Sequence, residues 1–341
     1  IEAITRYTTI GIALLQGFGY YTWINYYNNN GIDMLNVPDG YGVWAAIVIV
    51  AAFVAGSAFV MWLGEQVTEF GIGNGISIIL FAGIVARGPA MVTNLISGVR
   101  SWANGTTTAN ALRLHPAFIP VIIIGMLVLV VFIVFITNAE RRIPVQYAKR
   151  VVGRKMYGGQ SSHIPIKVNM SGVLPIIFAQ SIASIPATIG MFVPSATQEG
   201  TGWYTFLKVF DNRGLLYSIV YFLLIIMFSY FYSTIQFNPV EVSNNLKKNG
   251  GFIPGFRPGK PTTDFLNKVI SRITLFGAIY LAIVALLPTI VGNIMVAAGS
   301  SMGRNLMIGG TSIIIIVGVA LETTKALEAQ LMMRHYKGFL E

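Results

Sequence analysis

Cysteine is absent from the 341 residues, which excludes disulfides, thiolate metal sites and cysteine nucleophiles. Charge is scarce as well. Asp, Glu, Lys and Arg together make up 11% of the chain against 54% hydrophobic residues, and mean hydropathy is +0.67. Soluble globular domains carry about 25% charged residues, so this balance describes a polytopic membrane protein. The three histidines, His115, His163 and His335, stand in separate connections without metal-ligand spacing. All 13 acidic residues fall at or beyond the ends of the apolar runs. No carboxylate is left near a membrane midplane, where an ion-coupled transporter keeps its coupling ligand. No catalytic constellation appears in the spans, and neither a metal nor a cofactor is expected. No signal peptide opens the chain, which starts at Ile1, and a preceding N-terminal part of the parent protein is expected.

What is present is a series of eight apolar runs, each long enough to cross a hydrocarbon core as a helix of about 20 residues. They lie near residues 7–24, 43–63, 76–96, 118–137, 173–193, 215–235, 273–291 and 306–321. Buried helices of a large soluble protein are the poorer account of so many runs. Only helices satisfy their own backbone groups in lipid, so each run is expected to be helical even where Gly or Pro interrupts it. Gly11, Gly17, Gly56, Gly83, Gly172, Gly190, Gly277, Gly309, Gly310 and Gly318 let helices approach closely. Pro175 and Pro186 make one span bendable, as a gate requires. With the N-terminus inside, 17 of the 23 basic residues collect on the inner side, so both termini are expected in the cytosol.

The connections differ in character. Those around residues 28–31, 104–108 and 195–202 are polar, Gly-containing turns with little charge. Asn104-Gly105-Thr106 and Asn169-Met170-Ser171 fit the glycosylation pattern, but so short a pattern arises by chance. The turn from Gly64 through Gly73-Asn74-Gly75-Ile76 resembles a nucleotide loop, yet it follows a span and lacks a phosphate-binding Lys, so a tight turn is the better reading. Two loops, 138–172 and 236–272, are long and basic. Such length in a loop points to function, and Pro254-Gly255-Phe256-Arg257-Pro258-Gly259 presents Arg257 at a stiff turn tip suited to a large partner.

Four dispersed stretches carry a family resemblance. Met61-Trp62-Leu63-Gly64-Glu65-Gln66 through Gly73-Asn74-Gly75-Ile76-Ser77, then Gln146-Tyr147-Ala148-Lys149-Arg150, then the segment from Ile164 to Pro175, and Gly255-Phe256-Arg257-Pro258-Gly259 closely resemble bacterial SecY, the channel subunit of the Sec translocon. The resemblance implies an all-α membrane bundle of ten helices in two inverted halves, of which the eight runs match helices three to ten. Residues 1–96 then belong to the N-terminal half and 97–116 to the outer connection between halves. Residues 117–341 form the C-terminal half, with cytoplasmic loops 138–172 and 236–272 and a cytoplasmic tail at 322–341. The first two helices, with the plug and one wall of the lateral gate, are expected to be missing.

The same resemblance implies roles for residues. Leu80, Ile84, Ile177 and Ile315 match an apolar pore constriction, with Leu80 replacing the commoner isoleucine; such a girdle can dewet and seal against ions. Gln16, Pro175, Gln180 and Pro186 match a lateral gate in which runs 173–193 and 215–235 face run 7–24. Lys149, Arg150, Arg154, Lys155, Lys247, Lys248, Arg257 and Lys260 match a docking surface shared by the SecA motor and the ribosome, whose RNA phosphates attract basic side chains. Implied partners also include SecE and SecG, signal peptides, nascent or unfolded polypeptide, and membrane lipid. The reading is a non-enzymatic, multi-pass channel subunit of a bacterial plasma membrane that passes unfolded secretory polypeptides and releases transmembrane segments into lipid. The rival is a small-solute secondary transporter, whose fold can also use inverted repeats.

Overall fold

The computed structural model describes residues 2–29, 42–104, 118–147, 150–152, 155–157, 161–192, 202–209, 214–297 and 310–337. Twelve helices and five short strands are assigned among them. Each of the eight apolar runs is helical over its described residues apart from Ala86, Arg87, Val173 and Ser184, because an apolar side chain can enter lipid only if its backbone bonds to itself. Helix α1 (Glu2–Asn29) and helix α2 (Gly42–Phe70) take the first two runs, and α5 (Phe118–Asn138) takes the fourth. The short α8 (Gly202–Val209) precedes α9 (Leu215–Gln236), which takes the sixth, while α11 (Lys260–Ala297) and α12 (Gly310–Lys337) extend well past the seventh and eighth. Among the described residues, three stretches are long and apolar enough to cross a membrane by length and composition, Gly42–Phe70, Leu215–Lys248 and Lys260–Asn293.

Two runs are broken, and proline explains both. The third divides into α3 (Gly75–Val85) and α4 (Gly88–Ala103). Pro89 offers no N–H, its ring collides with the carbonyl one turn back, and the residue before it is steered away from helical geometry. The fifth divides at Ser184 into α6 (Leu174–Ala183) and α7 (Ile185–Phe192), with Pro186 in the first turn of α7. Pro175, by contrast, sits in the first turn of α6, where its missing donor costs nothing.

The basic loops are folded. Loop 138–172 contains β1 (Glu140–Tyr147), β2 (Arg150–Val152), β3 (Lys155–Tyr157) and β4 (Ser161–Lys167). Loop 236–272 contains α10 (Pro239–Lys248), β5 (Gly251–Phe252) and the start of α11. A three-stranded sheet in the order β4-β1-β5 joins them, and β2 pairs with β3 separately. The expectation of an all-helical membrane bundle therefore holds for the spans, with a small antiparallel sheet added between them. That sheet escapes a sequence reading because β1 and β4 each carry a proline and β5 is only two residues long. Pro144 is tolerated in the middle strand because β5 reaches only Gln146 and Tyr147, and Pro165 because β4 is an edge strand.

The chain forms two compact units. One comprises Ile1–Gly88, Ser181–Val220 and Val319–Glu341, the other Pro89–Gln180 and Tyr221–Gly318. In the first unit, the turn between α2 and α3 is drawn tight. The Gly75 N–H donates to Thr68 Oγ1 at 2.9 Å, and that hydroxyl donates to the Gly64 carbonyl at 2.8 Å. Asn74 caps α3 by accepting from the Ile76 and Ser77 N–H groups, and Gly73 adopts a φ of 77° that favours glycine. A Cβ on Gly75 would collide with the Gly64 carbonyl oxygen and lie 2.9 Å from Thr68 Oγ1. In the second unit, α9 buries Tyr221, Ile225, Ser229 and Ser233 at four-residue spacing, so one stripe faces inward. Ser233 Oγ and Thr274 Oγ1 of α11 share a buried hydrogen bond of 2.7 Å. Tyr230 donates to the Ser271 carbonyl at 3.1 Å.

The crossing of Gly64 and Gly75 predicts a large effect from a small change. Gly75→Ala should cost about 1–3 kcal/mol through overpacking against backbone, visible as a lower melting midpoint in detergent. Gly83→Ala, where a Cβ meets nothing within 4 Å, should leave the midpoint unchanged or raise it slightly; equal effects would contradict the packing argument.

Candidate functional site

Helix α1 is the centre of a seam in the first unit, and its glycines decide which face does what. Gly17 and Gly19 are two residues apart, so they point about 200° from one another around the helix. Gly17 faces α2, where a Cβ would lie 3.2 Å from Phe53 Cβ and 3.4 Å from Val50 Cα. Gly19 faces α7, where a Cβ would lie 2.6 Å from Phe192 Cζ and 2.9 Å from both of its Cε atoms. The Phe192 ring also stacks on Phe18, with centroids 6.5 Å apart and planes at 28°.

The contact of α1 with α2 is continued at both ends. Arg6 Nε and one terminal nitrogen donate to the two Glu65 oxygens at 2.9 and 2.8 Å, a bidentate pair with fixed geometry. Towards the other end, Tyr20 packs on Phe53 with centroids 5.1 Å apart, and Tyr21 donates to the Gly42 carbonyl. Of the expected gate residues, Gln16 is exposed on α1 and Pro186 half-buried in α7, both in this unit. Pro175 and Gln180, fully buried and exposed respectively, are in α6 of the second unit. Gly19 and Phe192 were not singled out from sequence. The Gly-x-Gly spacing on an apolar helix was the available signal.

The second unit carries a basic platform. Ile143 and Val145 of β1 and Ile166 of β4 pack with Leu246, Ile253, Leu266, Val269 and Ile270 into one buried core. Alternation along β1 leaves Arg142, Pro144 and Gln146 exposed on the opposite face, where Arg142 Nε meets Glu140 Oε1 at 2.7 Å. Helix α10 is capped by Asn238, whose Oδ1 accepts from the Val240 and Glu241 N–H groups, and Pro239 occupies its first turn. Lys247 and Lys248 stand exposed in its last turn, where the helix dipole favours cations.

Arg257 is held by its backbone and left free to reach outward. Thr262, buried, donates to the Arg257 carbonyl at 2.8 Å, and buried Ser243 donates to the Gly259 carbonyl at 3.0 Å. Phe256 stacks on Phe265 with centroids 4.1 Å apart. Gly255 and Gly259, at φ of 88° and 108°, supply the turns that a side chain would strain. The Arg257 and Lys260 side chains are exposed. Arg150 and Lys155 lie in the β2 and β3 hairpin, while Lys149 and Arg154 lie outside the described residues. Ser243, Thr262 and Phe265 are supports of this turn that sequence reasoning missed, since a hydroxyl or a ring names no partner until the chain is folded.

The four expected pore residues are placed on three helices. Leu80 and Ile84 are one turn apart on α3 in the first unit, exposed and half-buried. Ile177, half-buried on α6, and Ile315, buried on α12, belong to the second.

Residues 1–324 match the family model described as SecY. The protein translocase subunit SecY of Streptomyces coelicolor is 44% identical over 345 residues, covering 100% of this chain and 74% of its own. The chain belongs to the SecY family. A solved SecY protein, described as a translocation channel with a plug domain, resembles it with a TM-score of 0.58 at 17% identity, over 96% of this chain and 73% of that one. The yeast Ssh1 complex bound to the yeast 80S ribosome resembles it with a TM-score of 0.54 at 17% identity, over 96% and 71%. These two likenesses fix the fold.

As a SecY family member, the chain is a protein-conducting channel subunit of a translocase in a membrane, and not an enzyme. Nothing in the relatives supports the small-solute transporter alternative. The locked turn around Arg257 yields a direct expectation. Thr262→Val removes the donor to the Arg257 carbonyl and should weaken the turn by about 1–2 kcal/mol. Chymotryptic cleavage after Phe256 should then speed up about tenfold through local opening. Unchanged cleavage would show that the hydroxyl does not hold the turn.

Proposed function

We propose that this channel subunit serves a bacterial plasma membrane with both termini in the cytosol. It passes unfolded secretory polypeptide through an apolar constriction and releases hydrophobic segments sideways. The constriction is assigned to Leu80, Ile84, Ile177 and Ile315. Apolar rings seal against ions by dewetting and give a passing chain no fixed hydrogen-bond partner. The sideways exit is assigned to runs 173–193 and 215–235 facing run 7–24, with Gln16, Pro175, Gln180 and Pro186 as its residues. Residues 1–96 and 117–341 are assigned to the two inverted halves, joined by 97–116. SecE and SecG are the proposed small subunits, and signal peptides open the exit.

The observation that carries the docking part of this reading is the backbone-locked Arg257 turn on a folded basic platform. A connection that only closed a chain would need neither a core nor a locked tip. Lys149, Arg150, Arg154, Lys155, Lys247, Lys248, Arg257 and Lys260 form the docking set for a SecA-type motor and for the ribosome, as the ribosome-bound yeast relative suggests by analogy. One shared surface implies that motor and ribosome exclude one another. The chain supplies no nucleotide site of its own by sequence, so its energy comes from these partners.

Arg257→Glu tests the assignment. The side chain is exposed and its support runs through the carbonyl, so the change should cost within about 0.5 kcal/mol of stability. Reversed charge at the contact removes attraction and adds repulsion. Motor-driven export should fall at least tenfold while inserted channel stays at normal abundance, and ribosome binding should fall less because several cations share the phosphates. Normal export at normal abundance would exclude the docking role.

A further inference from the structure

The aromatic residues of the α1–α2 hairpin are sorted by depth. On α2, Trp44 and Trp62 are 64% and 51% exposed. They are separated by about five helical turns, so they share one face of the helix about 27 Å apart. A hydrocarbon core is about 30 Å thick. The neighbouring helix repeats the spacing. Tyr7, 77% exposed, adjoins the Arg6–Glu65 pair at one end of α1, and half-buried Tyr26 and Tyr27 follow about 29 Å further along. Two contacts bring like ends together. The Arg6–Glu65 pair sets Tyr7 near the turn of α2 that carries Trp62, and the Tyr21 bond to the Gly42 carbonyl sets the last turns of α1 near Trp44.

Between these two aromatic bands neither helix carries a charged residue, and α1 exposes Ile10, Ile12, Leu14 and Leu15. So long an apolar exposure suits hydrocarbon and not water. Indole and phenol rings favour the level where hydrocarbon meets headgroups, because the ring body is apolar while its N–H or O–H needs a polar partner. A band at each end, one core thickness apart, is what such a preference places. The band away from Arg6 is also braced from beneath. Tyr27 packs on Trp23 with centroids 4.8 Å apart, Trp23 packs on Tyr20 at 5.7 Å, and Tyr20 packs on Phe53 of α2. A load on the outermost ring is therefore shared by both helices.

We propose that the hairpin grips both leaflets of the bilayer, with Tyr26, Tyr27 and Trp44 seated among the headgroups of one and Tyr7 and Trp62 among those of the other. The ligand is the headgroup and glycerol layer of the lipid, engaged through ring shape and hydrogen bonding and not through charge. The proposal deepens the functional reading above, on which it rests only for which leaflet is the cytosolic one. A hairpin held at both ends resists being dragged by a polypeptide in transit.

The test uses the complete channel complex in lipid vesicles with the platform facing outward, Trp44 or Trp62 being kept as the one tryptophan and the others replaced by Phe. Quenching labels are carried on lipid headgroups or midway along acyl chains, in one leaflet at a time. Each probe should be quenched at least about twofold more by the headgroup label than by the mid-chain label, Trp62 from the leaflet on the platform side and Trp44 from the opposite one. A probe that neither label reaches is covered by protein, and one quenched best from mid-chain lies too deep; either result overturns the grip. Leaflets exchanged between the two probes would refute the cytosolic placement of the N-terminus and leave the grip standing. Replacing Tyr26, Tyr27 and Trp44 together by Leu keeps the surface apolar and removes its polar edges. That end should then sink, pushing Trp62 towards water and raising its quenching by aqueous iodide about twofold. Should the triple variant fail to accumulate, Trp44→Leu is read on the Trp62 probe in the same way. Iodide quenching that stays where it was would show that the band beside Trp44 holds nothing.

Discussion

A backbone that enters hydrocarbon finds no water, so every departure from the helix must be paired on the spot or be turned towards protein. That constraint organises the chain more than any single side chain. Where the third apolar run begins, Thr68 and Asn74 together serve the Gly75, Ile76 and Ser77 N–H groups, and the turn is fixed. Where the fifth run breaks, the Ser184 carbonyl receives both the Thr188 N–H at 3.0 Å and the Thr188 hydroxyl at 3.1 Å. Each satisfied break stays sharp. The first supports a rigid hairpin and the second supports an independent short helix, and the two differ because only the second has proline immediately inside it.

Lipid also removes the usual reward for burying apolar side chains, so tight contacts here are made by glycine. Gly17 and Gly19 serve α1, and in the second unit the Val168 carbonyl packs on Gly277 of α11 so closely that a Cβ there would lie 2.6 Å from its oxygen. That last contact ties the segment leaving β4 to the body of α11. The same helix supplies Leu266, Val269 and Ile270 to the platform core and then Ala278, Leu281, Ala282 and Val284 to its apolar length. One continuous helix thus runs from the turn that presents Arg257 into the span. A partner pulling on that turn acts on a rigid element and not on a tethered loop.

How much of this was legible in the sequence follows from the kind of signal each part leaves. Long apolar runs declare helices, because composition alone excludes the alternatives, and among the described residues all eight proved helical, two of them with a break. Their continuity was less legible. Pro175 and Pro186 look equivalent in sequence, yet Pro175 opens α6 without harm and Pro186 marks a break, a difference set by which residue happens to start the helix. The sheet was not legible at all. Its strands come from two different loops, with Gln146 and Phe252 more than a hundred residues apart in sequence, and are recognisable only once those residues pair. Arg257 was legible as an exposed tip, since Pro and Gly flank it, but its hydroxyl supports were not. Thr262 and Ser243 are ordinary residues whose role comes from which carbonyl folding brings near.

The two contact types that result obey different physics, and this separates the tasks of a channel that performs no reaction. The platform presents cations to water, so attraction there is long-ranged, forgiving in geometry and weakened by salt. The α1–α7 seam is apolar and short-ranged, since dispersion fades within about an ångström of ideal contact, so it is sensitive to shape and indifferent to salt. Added salt therefore weakens contacts made through the platform and leaves the packing of the seam as it was. Each element is built to match: the platform rests on the unbroken α11, whereas α7 starts afresh at the Ser184 break.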